Sequence, residues 1–220
     1  MAKGKVALWL GSLALPMVLV TGISFTAISL ILVDEIDWMT HVIFVAMVAL
    51  IQVGSHFLDC VYDKEPHINS IVRTEGSKVA KNVHLASYVV FISASLVLLA
   101  YLVLNSVVTG FDYILIGFWL IGFIASFYGI GRMHSVVTCM IAFGTVPIAG
   151  YYLQMGTVSM QIVGVSLGLA LSWIGLLGIY KIDDLFIAEK PKEEIIDTIR
   201  GHMVLVLLSA FLSFLALIFL

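Results

Sequence analysis

The chain has 220 residues, 61% hydrophobic and only 11% charged, with a mean hydropathy of +1.12 and a formal net charge of −3. That leaves too little polar surface to cover a water-soluble core; the net charge says little about partners, and no nucleic acid is expected among them. Apolar runs near the ~20 residues that cross ~30 Å of hydrocarbon recur throughout, and in lipid such runs close their own hydrogen bonds as helices. The alternation of a membrane barrel is absent. No polar linker separates two apolar blocks, so residues 1–220 read as one helical membrane domain.

In chain order the expected spans are 6–32, 38–58, 84–106, 111–128, 135–154, 158–180 and 202–220. The first follows Lys3 and Lys5, but it is too long for a signal peptide's apolar region and lacks a small-residue cleavage site, so it reads as a retained helix. With these spans all eleven Lys and Arg residues fall on one side. Lys3 and Lys5 precede the first span. Lys64, Arg73, Lys78 and Lys81 lie between the second and third, Arg132 between the fourth and fifth. Lys181, Lys190, Lys192 and Arg200 lie between the last two. The connections 33–37, 107–110 and 155–157 carry none. The positive-inside rule makes the basic side cytoplasmic. The fold class expected is therefore an all-α polytopic bundle of about seven transmembrane helices, amino terminus cytoplasmic and carboxyl terminus outside, in the plasma membrane.

Tyr101, Tyr113, Tyr151, Tyr152 and Trp38 fall near outer helix ends, and Trp9, Tyr62, Tyr128 and Tyr180 near inner ends, as interfacial belts do. His41, His67, His84, His134 and His202 read as interfacial residues. Cys60 and Cys139 have no ligand spacing and read as packing residues. Eighteen glycines, with Pro16 and Pro147 inside spans, permit close helix contact and kinks.

The two long inner connections both follow helices that end in acidic clusters, and long loops in compact chains are often functional. The first cluster is Ser55-His56-Phe57-Leu58-Asp59-Cys60-Val61-Tyr62-Asp63. Asp59 and Asp63 are four apart and share a helix face, which His56 joins. Two such carboxylates can share a hard divalent cation like Mg2+ and bridge it to phosphate, or simply mark a helix end entering water. Arg73 and Lys78 follow in the same loop, where they suit a phosphorylated substrate or the positive-inside bias. The second cluster is Lys181-Ile182-Asp183-Asp184. Its adjacent acids diverge by about 100° on a helix. The segment KPKEEIIDTIR after it reads as an amphipathic interfacial helix with Ile195, Ile196 and Ile199 on one side, or as a solvated loop. Charges are nearly absent from mid-helix, which argues against an ion-coupled transporter.

Together these stretches resemble the UbiA superfamily of intramembrane prenyltransferases. LIQVGSHFLDCVYDKEP stands like the family's first aspartate motif, and VRTEGSKVA resembles the segment that follows it. YGIGRMHSVVTCMIAFGTVPIAGYYLQMG resembles the region between the fourth and fifth helices in the menaquinone-pathway branch. GLLGIYKIDDLFIAEK stands like the second aspartate motif. The likeness covers residues ~50 to 190. It implies an Mg2+-dependent transfer of a polyprenyl group from a polyprenyl diphosphate to a lipophilic acceptor. By position it makes Asp59, Asp63, Asp183 and Asp184 the catalytic metal ligands. Ser55, His56, Arg73, Lys78, Tyr128 and Lys181 would bind substrate. The departures are specific. Ser55-His56 stands where the family has Asn-Asp. Four residues after Asp183 and Asp184 come Ile187 and Ala188 rather than carboxylates, with only Glu189 beyond, out of phase. The family's Gly-Lys element is missing, and members commonly have nine helices. These departures open a second expectation, a catalytically degenerate lipid- or quinone-binding subunit that works with partner membrane subunits.

Overall fold

A computed structural model describes residues 22–62, 79–105, 112–127, 136–187 and 189–219. Among them the only regular structure is helical: α1 (Ser24–Ile28), α2 (Trp38–Tyr62), α3 (Lys81–Asn105), α4 (Tyr113–Ala125), α5 (Val136–Met155), α6 (Met160–Ile187) and α7 (Lys192–Phe219). Each falls on one of the seven expected spans; of the first, only residues 22–32 are described. Three described stretches, Trp38–Tyr62, Lys81–Asn105 and Lys192–Ile218, are long and apolar enough to cross a membrane. Tyr113–Ala125 and Met160–Ser172 are apolar but shorter.

The helix ends show local causes. Asp37 caps α2: its Oδ1 accepts from the Met39 and Thr40 amides at 3.0 and 3.2 Å, and its Oδ2 from the Thr40 hydroxyl at 2.7 Å. Those bonds favour the ionised form and hold the Asp37 carboxyl below the usual carboxylate range, the Thr40 hydroxyl contributing most. Asp112 caps α4 in the same way through Ile114 and Leu115. Gly156 ends α5 at φ 68, the left-handed conformation that a Cβ disfavours. Glu189 ends α6 at φ 51, and the Lys190 amide reaches back to the Leu185 carbonyl at 3.0 Å, closing a Schellman-type turn before Pro191.

Two expected limits move. α6 runs to Ile187, so Lys181, Asp183 and Asp184 are helical. KPKEEIIDTIR is not a separate interfacial helix, because α7 runs unbroken from Lys192. Ile195, Ile199, His202, Leu205, Ser209 and Ala216 recur along one stripe of α7, and Ile195, Ser209 and Ala216 are buried there. The isoleucines therefore extend the α6-facing seam instead of lying on the membrane. Gly201 does not interrupt it, since it faces open space.

Each helix packs against its chain neighbour from α2 onwards in the pairs α2–α3, α3–α4, α4–α5, α5–α6 and α6–α7, and α5 also meets α1 and α2. Phe44, Met47, Leu99, Leu102, Leu115, Trp119 and Leu153 form the core between α2, α3, α4 and α5. Hydrogen bonds tie it where water is absent: Trp119 Nε1 donates to Ser95 Oγ at 3.1 Å, and the Tyr88 and Ser126 hydroxyls lie 3.0 Å apart. Elsewhere glycines let backbones meet. A Cβ on Gly144 would lie 2.9 Å from that of Ala170, and one on Gly168 would lie 2.9 Å from the Ser209 carbonyl and 3.1 Å from Ser213 Cβ. At the far end from the acidic clusters, Gln154 accepts from the Asp37 amide at 2.8 Å and donates to the Asp37 carbonyl at 3.2 Å.

Gly168→Val should separate α6 from α7 and cost about 1–3 kcal/mol, as overpacking does. Gly201→Ala, in open space, should stabilise by roughly 0.5–1 kcal/mol. Unfolding of both variants in detergent checks the contrast, and equal effects would contradict the packing. Asp37→Ala should cost about 0.5–2 kcal/mol at neutral pH, as a lost helix cap does. A depressed folded pKa stabilises above the ordinary carboxylate value and ceases to do so as pH falls through the folded one. The gap between wild type and Asp37→Ala should therefore narrow as pH drops below about 4.

Candidate functional site

α2 divides its faces by residue type. Gly54 and Phe57 turn to α3: a Cβ on Gly54 would meet Ile92 Cδ1 at 3.3 Å, and the fully buried Phe57 ring lies 5.6 Å from His84 and 5.5 Å from Phe91. Gln52, Ser55, His56 and Asp59 recur at helical spacing on another side, and Gln52 and Asp59 are buried. In a span this apolar, such a polar stripe is costly unless something uses it.

Within the stripe, His56 Nδ1 stands 3.5 Å from Asp59 Oδ2, one turn on, with both side chains largely buried. The other atom of each group, His56 Nε2 and Asp59 Oδ1, is buried and has no hydrogen-bond partner among the described residues. An unsatisfied buried acceptor costs about 1–3 kcal/mol, more when charged. At the end of α2 the Lys81 ammonium sits 4.9 Å over the Tyr62 ring, joining the start of α3 to the end of α2.

Register brings the second acidic segment to the same end of the bundle. α2 and α5 run antiparallel, since Phe44 meets Gly150 and Asp37 meets Gln154. α5 and α6 run antiparallel from the Gly144–Ala170 contact. Following the helices from these contacts puts the α6 turn with Lys181, Asp183 and Asp184 at the end where α2 carries Asp59. α5 is the helix both pack against.

Of the expected site, Ser55, His56 and Asp59 are brought together. Lys181, Asp183 and Asp184 are placed by backbone on α6. Asp63, Arg73, Lys78 and Tyr128 lie outside the described residues. Glu189, the late carboxylate of the second cluster, lies in the turn beyond α6 and is exposed. Among the described residues no group of three or more His, Cys, Asp or Glu side chains converges to hold a metal. A hard, six-coordinate Mg2+ needs more oxygen than Asp59 alone supplies.

The structure adds burial to two histidines and one residue to the polar stripe. His84, expected at the interface, is 1% exposed and packed on Phe57. His41 is likewise buried, edge-on to Trp38 at 6.2 Å. Gln52 belongs to the polar stripe and was not among the expected residues, although its spacing of four and seven to His56 and Asp59 is visible in the sequence. In comparisons with known proteins, no family model, curated protein or solved structure matches the chain.

Proposed function

We propose that the chain is a UbiA-like intramembrane prenyltransferase, moving a polyprenyl group from a polyprenyl diphosphate to a lipophilic acceptor with Mg2+. One observation carries this: a buried carboxylate and a half-buried imidazole, each with a buried atom that has no partner among the described residues, sit near the end of an apolar helix, at the same end of the bundle as a second acidic segment. Asp59 and Asp63, with Asp183 and Asp184, would hold the cation, and Ser55, His56, Arg73, Lys78, Tyr128 and Lys181 would contact substrate. The metal would supply charge stabilisation for the departing diphosphate, worth several kcal/mol. The C–O bond breaks with its electron pair on the diphosphate, and the allylic cation left behind bonds the acceptor, which gives up a proton. Basic side chains of the 63–80 connection meet the phosphate oxygens. The apolar helices house the prenyl tail and keep water from the cation. In this reading seven helices span the plasma membrane, with both acidic ends cytoplasmic.

A second reading has its own observation. Among the described residues, α7 makes its substantial helix contacts with α6 alone, and Val204, Leu207, Phe211, Phe214 and Ile218 are exposed. A non-catalytic subunit that binds lipid or quinone and docks through α7 would leave that surface free for a partner helix.

Binding of geranylgeranyl diphosphate to the purified chain should require Mg2+ and weaken strongly in Asp59→Ala. Binding indifferent to both would favour the subunit. Topology is tested by single cysteines in a chain whose Cys60 and Cys139 are replaced by alanine. An impermeant maleimide added outside should label Ser106→Cys and spare Ser70→Cys; the reverse pattern would invert the bundle.

A further inference from the structure

We propose that residues 192–200, the first turns of α7, are a hinged strap: docked along α6 in this structure, they swing at Gly201 to lie on the membrane surface and uncover the α6 turn that carries Asp183 and Asp184. The strap does not depend on the reaction assigned to that end of the bundle. α7 has 28 residues, and about 20 are enough to cross ~30 Å of hydrocarbon. Counted back from Phe219, that length reaches Arg200, so the turns before Gly201 are surplus to the crossing. Every Asp, Glu, Lys and Arg of α7 lies in that surplus, from Lys192 to Arg200. The register of the α6–α7 hairpin follows from Gly168, which meets Ser209 and Ser213. Carried to the turn between the helices, that register sets Ile195 level with residues 182–186 of α6.

Both ends of the strap are made to yield. At one end Glu189 holds φ 51, a left-handed conformation costly for a residue with a Cβ, two residues before Pro191. At the other, Gly201 weakens the helix, as glycine does in a helix interior. Nothing lies within 4 Å of where its Cβ would stand, so no close packing calls for a glycine there. Little holds the strap down in between. Of residues 192–200 only Ile195 is buried. Lys190 pairs with Glu194 at 3.9 Å and Arg200 with Asp197 at 3.4 Å, but both pairs are exposed and join the strap and its turn to themselves, not to α6. The strap's apolar side is also wider than the seam it uses. Ile196 stands about 100° round the helix from Ile195, with Ile199 between them at about 40°. The stripe that faces α6 includes Ile195 and Ile199 and leaves Ile196 to one side. A membrane surface would take all three, with Asp197 and Arg200 turned to water opposite. Lys192 and Arg200 against Glu193, Glu194 and Asp197 give no pull towards anionic lipid, so burial of the isoleucines is what draws the strap down. A plain extension of α7 would account for the helix, but not for a glycine at the point where the crossing ends.

Spin-label distances in the full-length chain, held in lipid nanodiscs, test this. The labels go on Asp197→Cys and Asn82→Cys, both exposed at the same end of the bundle, with Cys60 and Cys139 replaced by alanine. Two separations are expected, one matching the docked helix and one from the strap on the membrane. Gly201→Ala should lower the share of the second about 2–5-fold, the population equivalent of a glycine's cost in a helix. Ile196→Ser, off the α6 seam, should lower it about tenfold by removing apolar burial and leave the first separation where it is. A lone separation at the docked distance, or a second one that neither substitution diminishes, would overturn the strap. A second separation lost in Gly201→Ala but indifferent to Ile196→Ser would overturn the membrane-bound form. If the double-cysteine chain does not fold, amide exchange on the chain with its own cysteines decides the same question. Exchange over residues 193–200 should slow as one block, about 2–5-fold, in Gly201→Ala. Exchange unchanged there, or slowed only next to residue 201, refutes the hinge.

Discussion

The structure depends on close approach of helices that gain little from leaving lipid for one another. In water, apolar surface drives association; between apolar spans in a bilayer that drive is nearly absent, and van der Waals contact and hydrogen bonds must replace it. The chain meets this with glycine opposite serine and alanine. Gly144 against Ala170, Gly168 against Ser209 and Ser213, and Gly54 against Ile92 bring the helices close enough for dispersion to accumulate. Where side chains are larger, buried hydrogen bonds do the same work, as between Trp119 and Ser95.

The polar stripe of α2 follows from the same constraint. Gln52, His56 and Asp59 stand on a helix otherwise given to aliphatic and aromatic residues, and every such group costs desolvation in an apolar bundle. The face that meets α3 is filled by Gly54, Phe57 and their neighbours, so the stripe is left to another side. Packing has thereby separated what holds the helix in place from what is available for chemistry. His84, across from Phe57, lies on the packing side despite its chemistry.

Much of this was legible in the sequence because hydrocarbon thickness sets helix length and side chains follow helical spacing. The all-helical class, the places of the described helices and the pairing of His56 with Asp59 follow from those two regularities. Helix ends were less legible. The continuation of α6 to Ile187 depends on Glu189 adopting a left-handed conformation that local composition does not announce. The fusion of KPKEEIIDTIR with the last span goes with burial of Ile195, which an amphipathic pattern does not distinguish from surface binding. The burial of His41 and His84 was not legible because position near a helix end says nothing about which neighbour covers the ring. The likeness to prenyltransferases rests on motif order and on Asp59, and no comparison adds to it.

The contact between Gln154 and the Asp37 backbone joins residues 117 positions apart. During synthesis the link between α1 and α2 emerges early, yet its partner arrives only with the end of α5. Until then the Asp37 amide and carbonyl must be served by water. The link between α1 and α2 is therefore fastened late, only once α3, α4 and α5 have been made. Order of synthesis and order of consolidation differ, and this link stays unlatched, free to adjust until α5 docks.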